Sequence, residues 1–302
     1  MALSSFSVWL DATRPKTLLL AVAALLCGNS LAAAQGHFSP AIALLTLLTA
    51  VLLQILSNLA NDYGDVRKGT DNRHRLGPQR GLQQGRISLT AMRTAIGLTL
   101  TLTTLSGITL LWLARPSLTV LLSFVALGGV SILAALAYTL GTKPYGYRGL
   151  GDPAVLIFFG WVAVGGSYYL QSQQFHWLIL LPATASGLLA VGVLNLNNLR
   201  DIENDRACGK ITLAARLGPE AGRWYHLLLL VFSLLGFTAY ALLMAHSAWG
   251  WLFLLAAPWL LTHANQVLTT QHAQSLAPML GLLAKIALMT NLLFAIGLLA
   301  DR

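Results

Sequence analysis

Asn58-Leu59-Ala60-Asn61-Asp62-Tyr63-Gly64-Asp65 and Asn198-Leu199-Arg200-Asp201-Ile202-Glu203-Asn204-Asp205 decide how this chain is read. Each places carboxylates and amides at the end of a long apolar run, where ionisable side chains are costly and need a functional reason. Asn58, Asp62 and Asp65 stand at i, i+4 and i+7, and Asn198, Asp201 and Asp205 at i, i+3 and i+7. At helical spacing each set is expected to line one helix face. Two such faces turned toward one another imply a shared cation site. A few hard oxygen ligands, with positions left open for water and phosphate, suit Mg²⁺ holding a phosphorylated substrate.

Around these segments lies a chain of 302 residues with 56% apolar and 10% charged side chains. Its mean hydropathy is +0.68. An ordinary soluble domain is excluded, because its charged share is about a quarter. Apolar runs long enough to cross a hydrocarbon core occur at 17–34, 40–59, 91–113, 118–140, 153–170, 177–197, 225–245, 249–267 and 279–300. The expectation is an all-α polytopic membrane protein, one domain over 1–302, with nine transmembrane helices around a central cavity.

Basic residues set the expected orientation. Arg14 and Lys16, then Arg67, Lys68, Arg73, Arg75, Arg80 and Arg86, then Lys143 and Arg148, then Arg200, Arg206, Lys210, Arg216 and Arg223 precede the first span or fall in alternate connections. The opposite connections contain one basic residue, Arg115. The N-terminus and both acidic segments are therefore expected on the cytoplasmic side of a bacterial inner membrane, with the C-terminus outside. The net charge of +9 is largely this collar, so nucleic acid is not needed to explain it. Arg14-Pro15-Lys16, the apolar run and Ala32-Ala33-Ala34 imitate a cleavable signal. The stretch before them is long for such a leader, and the segment is read as uncleaved. Cys27 and Cys208 lie at different membrane levels, so no disulfide is implied. The seven histidines lack metal-ligand spacing, which leaves zinc and haem unsupported.

The two long connections, 60–90 and 198–224, share an Asn/Asp cluster followed by Gly, Lys and Arg. They read as a weak internal repeat of a helical bundle. Within them 82–87 and 213–217 suit small amphipathic helices over the mouth of the cavity. The third connection, 141–152, is rich in Gly and aromatics. Its Tyr145 and Tyr147 either reach over the same mouth or sit in the interfacial belt. Lys285 and Asn291, within the last span, call for an inward-facing role.

Facing aspartate-bearing helix ends surrounded by Arg and Lys describe a diphosphate site. The Asn61-Asp62-Tyr63-Gly64-Asp65-Val66-Arg67-Lys68-Gly69-Thr70-Asp71 and Asn198–Asp205 segments resemble the two aspartate-rich motifs of the UbiA-superfamily intramembrane prenyltransferases. The resemblance covers essentially the whole chain. Arg14-Pro15-Lys16-Thr17-Leu18, the Asn58–Asp65 form and the stretch from Asp205-Arg206 through Gly209-Lys210 and Thr212 to Arg216-Leu217-Gly218 further resemble the branch that prenylates 1,4-dihydroxy-2-naphthoate. This resemblance implies Mg²⁺-dependent transfer from a polyprenyl diphosphate to dihydroxynaphthoate within the lipid bilayer, with loss of CO₂, giving demethylmenaquinone. It assigns Asn58, Asp62, Asp65, Asn198, Asp201 and Asp205 to the Mg²⁺–diphosphate site, with Asn61 and Asp71 behind them. Lys68, Arg73, Arg80, Lys143, Arg200 and Lys210 are the implied diphosphate contacts. Arg14 or Lys16 would hold the acceptor anion, and Tyr138 would stabilise the allylic cation. Glu203 is off the acidic face and is read as solvated. The alternatives are a sister enzyme using 4-hydroxybenzoate or homogentisate, one that farnesylates haem, and a cation-coupled transporter. The transporter would place its carboxylates near the midplane in broken helices.

Overall fold

The computed structural model describes residues 5–301. Residues 1–4 and 302 of the expected single unit lie outside the described residues. Helix α1 (Ser5–Ala12) buries Val8 and Ala12 and leaves Phe6 and Leu10 exposed. Arg14, in a left-handed conformation with φ 54°, turns the chain into α2 (Pro15–Ala34). Proline suits that first helical turn because its missing N–H would have no partner there. Helix α3 (Pro40–Arg67) begins in the same way, after a Ser39 cap.

Helix α3 runs past the expected end at 59, so Asn58, Asp62 and Asp65 all lie on it. Asn and Asp often end helices by bonding to nearby backbone. Here tertiary partners take those side chains, and the helix stops only where Gly69 adopts φ 73°. Helices α4 (Leu89–Ala114) and α5 (Leu118–Ala137) follow. The next crossing, Gly151–Ser172, is made of α6 (Gly151–Val155), a wide π-helical stretch (Leu156–Gly165) and α7 (Gly166–Ser172).

The second acidic segment is less regular than expected. Helix α8 (Leu180–Arg200) ends before Asp201, whose φ of −102° and ψ of 12° join it to α9 (Ile202–Ala207). The set therefore bends around a break, although the Asp205 N–H still reaches the Asp201 carbonyl at 2.8 Å. Helix α10 (Leu213–Met244) starts with the short turn expected at 213–217. Gly218 (φ 84°) and Pro219 then kink it toward the membrane. Helix α11 (Ala257–Thr269) continues a 3-10 helix, Ala248–Ala256. Helix α12 (Leu276–Ala300) closes the bundle.

Among the described residues, eight helices are long and apolar enough to cross a membrane. The span expected at 249–267 falls instead on the two-part segment ending in α11, where Pro258 interrupts the hydrogen-bond ladder. The described residues are thus all-α, with eight such helices beside this two-part segment. Leu98, Leu102, Leu105, Leu122, Val130 and Leu133 are exposed on the outside of α4 and α5, as lipid-facing residues are. This is an integral membrane protein.

The core lies among α2, α8, α10 and α12, with Leu31, Leu189, Leu230, Phe237 and Phe294 buried together. Gly160 and Gly187 bring the π stretch and α8 to backbone contact: a Cβ on Gly187 would lie 2.9 Å from the Gly160 Cα. Small residues of this kind drive close helix approach in lipid.

Two expectations are corrected. Residues 82–87 form successive turns rather than a helix. The Gly81 carbonyl gathers the Arg86 and Ile87 amides, and Gly85 takes φ 69°. Leu82 and Ile87 are nonetheless buried with Val8, Ala12, Leu59 and Met92, so the segment is a plug under α1. Lys285 faces outward, exposed beside Leu282 and Met289. Its long stem can carry the ammonium toward the interface. Asn291 is buried, with its Nδ2 donating to the Ala287 carbonyl at 2.9 Å.

Candidate active site at the acidic end of the bundle

Asp62, Asp65 and Asp71 come from α3 and the turn after it, while Asp201 and Asp205 come from the α8–α9 junction. Asp65, Asp71, Asp201 and Asp205 line one end of a cavity of about 940 Å³. Asp62 is fully buried just behind that wall. Farther in, the lining is apolar, with Leu25 of α2, Leu53 of α3, Leu111 of α4, Phe124 of α5 and Phe159 of the π stretch. A charged mouth on an apolar chamber suits a ligand with an anionic head and a hydrocarbon tail.

Four of the five carboxylates meet a base, and the fifth, Asp65, meets a phenol. Arg14 donates to Asp62, and Arg80 Nε lies 3.6 Å from the same oxygen. Arg75 Nε bridges Asp71 at 3.2 Å and Asp201 at 3.6 Å. Arg200 grips Asp201 through two bonds, at 3.0 and 2.5 Å, and donates to Asn197 Oδ1 at 2.9 Å. Lys210 Nζ stands 3.5 Å from Asp205. Asp65 Oδ1 accepts from the Tyr147 hydroxyl at 2.7 Å. Buried charges require this kind of pairing, because desolvating either partner alone is far more costly.

The pairing leaves some polar atoms of these side chains unsatisfied. Burial pushes Asp205 up to about 6, with Lys210 opposing it. Burial also raises Asp71, against Arg75. Arg80 is lowered to about 9 by burial and then by Arg14. Asp62 Oδ2, Asp71 Oδ2, Asp205 Oδ2 and Asn198 Oδ1 are buried without a hydrogen-bond partner. An unsatisfied buried acceptor costs about 1–3 kcal/mol, so these oxygens fit a cation or a donor arriving with the ligand. Among the described residues no three His, Cys, Asp or Glu side chains form a ready cage for a metal. The donor set instead suits a hard cation that takes its remaining ligands from phosphate and water, as Mg²⁺ does.

The other sequence-predicted residues divide. Asn58 lines the cavity, and its Nδ2 donates to the Thr13 carbonyl at 2.9 Å. Asn61 also lines it and accepts from Thr139 Oγ1 at 3.2 Å. Tyr138, at the end of α5, lines it with its ring edge-to-face on Tyr145 at 5.3 Å. Close approaches hold that ring: a Cβ on Gly146 would lie 2.9 Å from it, and one on Gly151 would lie 2.9 Å from its hydroxyl. Lys16 lines the mouth while remaining exposed. Lys68 is exposed and donates to the Gly141 carbonyl at 3.0 Å, tying the first connection to the third. Arg73 and Lys143 are exposed and outside the lining. The turn after Asp71 gives the inward place to Arg75. Glu203 is exposed, as its offset position suggested.

A profile of the UbiA prenyltransferase family matches residues 19–294. The chain belongs to that family. It is a membrane-embedded prenyltransferase. It is 52% identical, over 98% of its length and 96% of the relative's, to the 1,4-dihydroxy-2-naphthoate octaprenyltransferase of Escherichia coli strain K12. Its identity to the similarly described protein of Haemophilus influenzae is 48%, over 97% of this chain and 96% of that one. The apo structure of a UbiA homolog from Aeropyrum pernix K1 superposes with TM-score 0.67 at 17% identity, covering 100% of this chain and 99% of that one. A UbiA homolog from Archaeoglobus fulgidus bound to GPP and Mg²⁺ gives 0.62 at 14% identity, over 97% and 99% of the two chains. These two likenesses establish the UbiA fold.

Sequence reasoning placed Arg75 only in the basic collar and left Tyr147 open between mouth and belt. Asp71 and Arg75 are four residues apart, a spacing that brings side chains together on a helical turn; that was the available signal for Arg75. Nothing local marks Tyr147. Its partner Asp65 is 82 residues away in the chain.

Proposed function

We propose that this prenyltransferase transfers a polyprenyl group from its diphosphate to 1,4-dihydroxy-2-naphthoate, releasing diphosphate and CO₂. The observation that carries the reading is the meeting of both aspartate segments at the mouth of a long apolar chamber. The similarity to the dihydroxynaphthoate octaprenyltransferases supports the choice of acceptor. Asp65, Asp71, Asp205, Asn198 and the buried Asp62 would hold Mg²⁺, with Asp201 and Asn58 beside them. When bound, that ion neutralises diphosphate charge and makes it a better leaving group.

The chain's own residues do the rest. Arg80, Arg200, Arg75 and Lys210 line or approach the mouth and receive the phosphate oxygens as charge builds on them. Leu25, Leu53, Phe124 and Phe159 take the hydrocarbon tail out of competition with water. The Tyr138 ring, held by its two glycine contacts, offers a π-face to the positive charge on the allylic carbon. Arg14 or Lys16 faces the acceptor's carboxylate. The C1–O bond to diphosphate breaks, and a bond forms between C1 and the ring carbon bearing the carboxylate. That carboxylate leaves as CO₂, and its electron pair restores the aromatic ring. The product is the reduced, quinol form of demethylmenaquinone. The basic collar favours a cytoplasmic placement of the mouth, in a bacterial inner membrane.

Carboxyl-labelled dihydroxynaphthoate, incubated with purified protein, Mg²⁺ and a polyprenyl diphosphate, should release labelled CO₂ in step with diphosphate. Efficient prenylation of 4-hydroxybenzoate with its carboxyl retained would sink the acceptor assignment.

A further inference from the structure

Tyr147 lies in the 3-10 turn Tyr145–Arg148, in the connection between α5 and α6, and its ring is buried. Its hydroxyl oxygen is 2.7 Å from Asp65 Oδ1 and 2.6 Å from Thr70 Oγ1. A carboxylate can only accept, so Tyr147 donates to Asp65 and Thr70 donates to Tyr147. Thr70 is itself fixed, because Asn204 Nδ2 donates to its carbonyl at 2.9 Å. The Ile211 N–H reaches the Tyr147 carbonyl at 3.0 Å, one residue beyond Lys210. One residue thus bonds to both acidic connections from the third. Its ring lies 5.7 Å from Lys68 Nζ and 5.6 Å from Lys210 Nζ, within cation–π reach of both.

We propose that Tyr147 is a positioning residue of this site: its hydroxyl orients Asp65 toward the metal, and its ring steadies Lys210 for the diphosphate. This rests on the metal–diphosphate reading of the site. The hydroxyl relay Thr70 to Tyr147 to Asp65 engages one carboxylate oxygen and stops the side chain from rotating. Hydrogen-bonded partners of metal ligands set their orientation, and losing one costs about 10–100-fold in metal affinity. The lysine role is separable from it, since the ring alone performs it.

The experiment uses purified full-length protein, Mn²⁺ as the metal probe and inorganic diphosphate as the anion. Free Mn²⁺ is read by electron paramagnetic resonance, and diphosphate binding without metal by calorimetry. Tyr147→Phe keeps the ring, and should weaken Mn²⁺ binding about tenfold or more while leaving metal-free diphosphate binding and the unfolding temperature at wild-type values. Thr70→Val should weaken Mn²⁺ binding less. Tyr147→Leu should lose Mn²⁺ affinity and also diphosphate affinity. Wild-type Mn²⁺ affinity in Tyr147→Phe would overturn the proposal. So would a parallel loss of Mn²⁺ binding, diphosphate binding and thermal stability in that variant, which would mean a general structural role. If the wild-type protein binds no Mn²⁺ with diphosphate present, the metal reading fails, and this proposal with it.

Discussion

Gly64 sits between Asp62 and Asp65 on α3, and replacing it with alanine tests how tightly the acidic segment must be placed. A Cβ there would lie 2.7 Å from both Cβ and Oγ1 of Thr139, and 3.0 Å from the Thr139 carbonyl oxygen. Non-bonded heavy atoms prefer about 3.5–4.0 Å, so α3 and the turn after α5 would have to part by about 1 Å. Rotating the Thr139 side chain relieves only part of this, because its Cβ and carbonyl stay in place. Overpacking of this kind costs about 1–3 kcal/mol, while alanine regains about 1 kcal/mol of helix propensity over glycine. The net loss of up to about 2 kcal/mol leaves a folded protein. Activity should suffer far more, since a 1 Å misplacement near the chemistry costs about 10²-fold. Thr139 Oγ1 also donates to the Ala60 carbonyl at 3.1 Å, so the displacement reaches the helix backbone directly. The assay is prenyl transfer in reconstituted vesicles with both substrates saturating, beside the unfolding temperature. Adding Thr139→Gly removes the colliding Cβ and should restore part of kcat, whereas Thr139→Ala retains it and should not. Wild-type kcat in Gly64→Ala, or equal rescue by both second changes, would refute the reasoning.

Arg75→Ala removes the base between Asp71 and Asp201 and should lower kcat/KM at least about tenfold, whereas exposed Arg73→Ala should stay within about twofold; equal effects in parallel steady-state assays would contradict the geometry. Asp62→Ala, Asp65→Ala, Asp201→Ala and Asp205→Ala should each cost about 10²-fold or more with membrane insertion intact. Chelation by EDTA should stop transfer, while Glu203→Gln should be nearly silent; full activity in EDTA would reject the metal site. At the other end of the bundle, Asp301 accepts from the His246 and Ser247 amides at 2.8 and 2.7 Å and from the Ser247 hydroxyl. Burial opposes ionisation there, but these bonds outweigh it and hold the carboxyl below its usual range. A depressed carboxyl adds stability above its unfolded pKa and loses it as pH falls, here below about 4. Asp301→Ala should therefore destabilise the neutral protein by about 1–2 kcal/mol without changing turnover, and should flatten the acid limb of thermal stability; an unchanged acid limb would count against it.

The sequence alone determined the class of molecule and the chemistry of its polar end. Long runs of apolar residues cannot leave backbone groups unpaired in lipid, so they must be helices. Asp62 and Asp65 on α3 were legible for the same reason, because fixed helical periodicity makes spacing along the chain a statement about direction. Where the helix ladder is interrupted, spacing lost that power. Asp201 sits at a break, residues 82–87 turn back on themselves through their glycines, and Lys285 proved to face outward, since periodicity does not say which neighbour covers a face. Only the tertiary structure chose Arg75 over Arg73, set Tyr147 against Asp65, and left oxygens of Asp62, Asp71, Asp205 and Asn198 without partners. Those outcomes depend on contacts between connections far apart in the chain, and local propensity carries no record of such contacts.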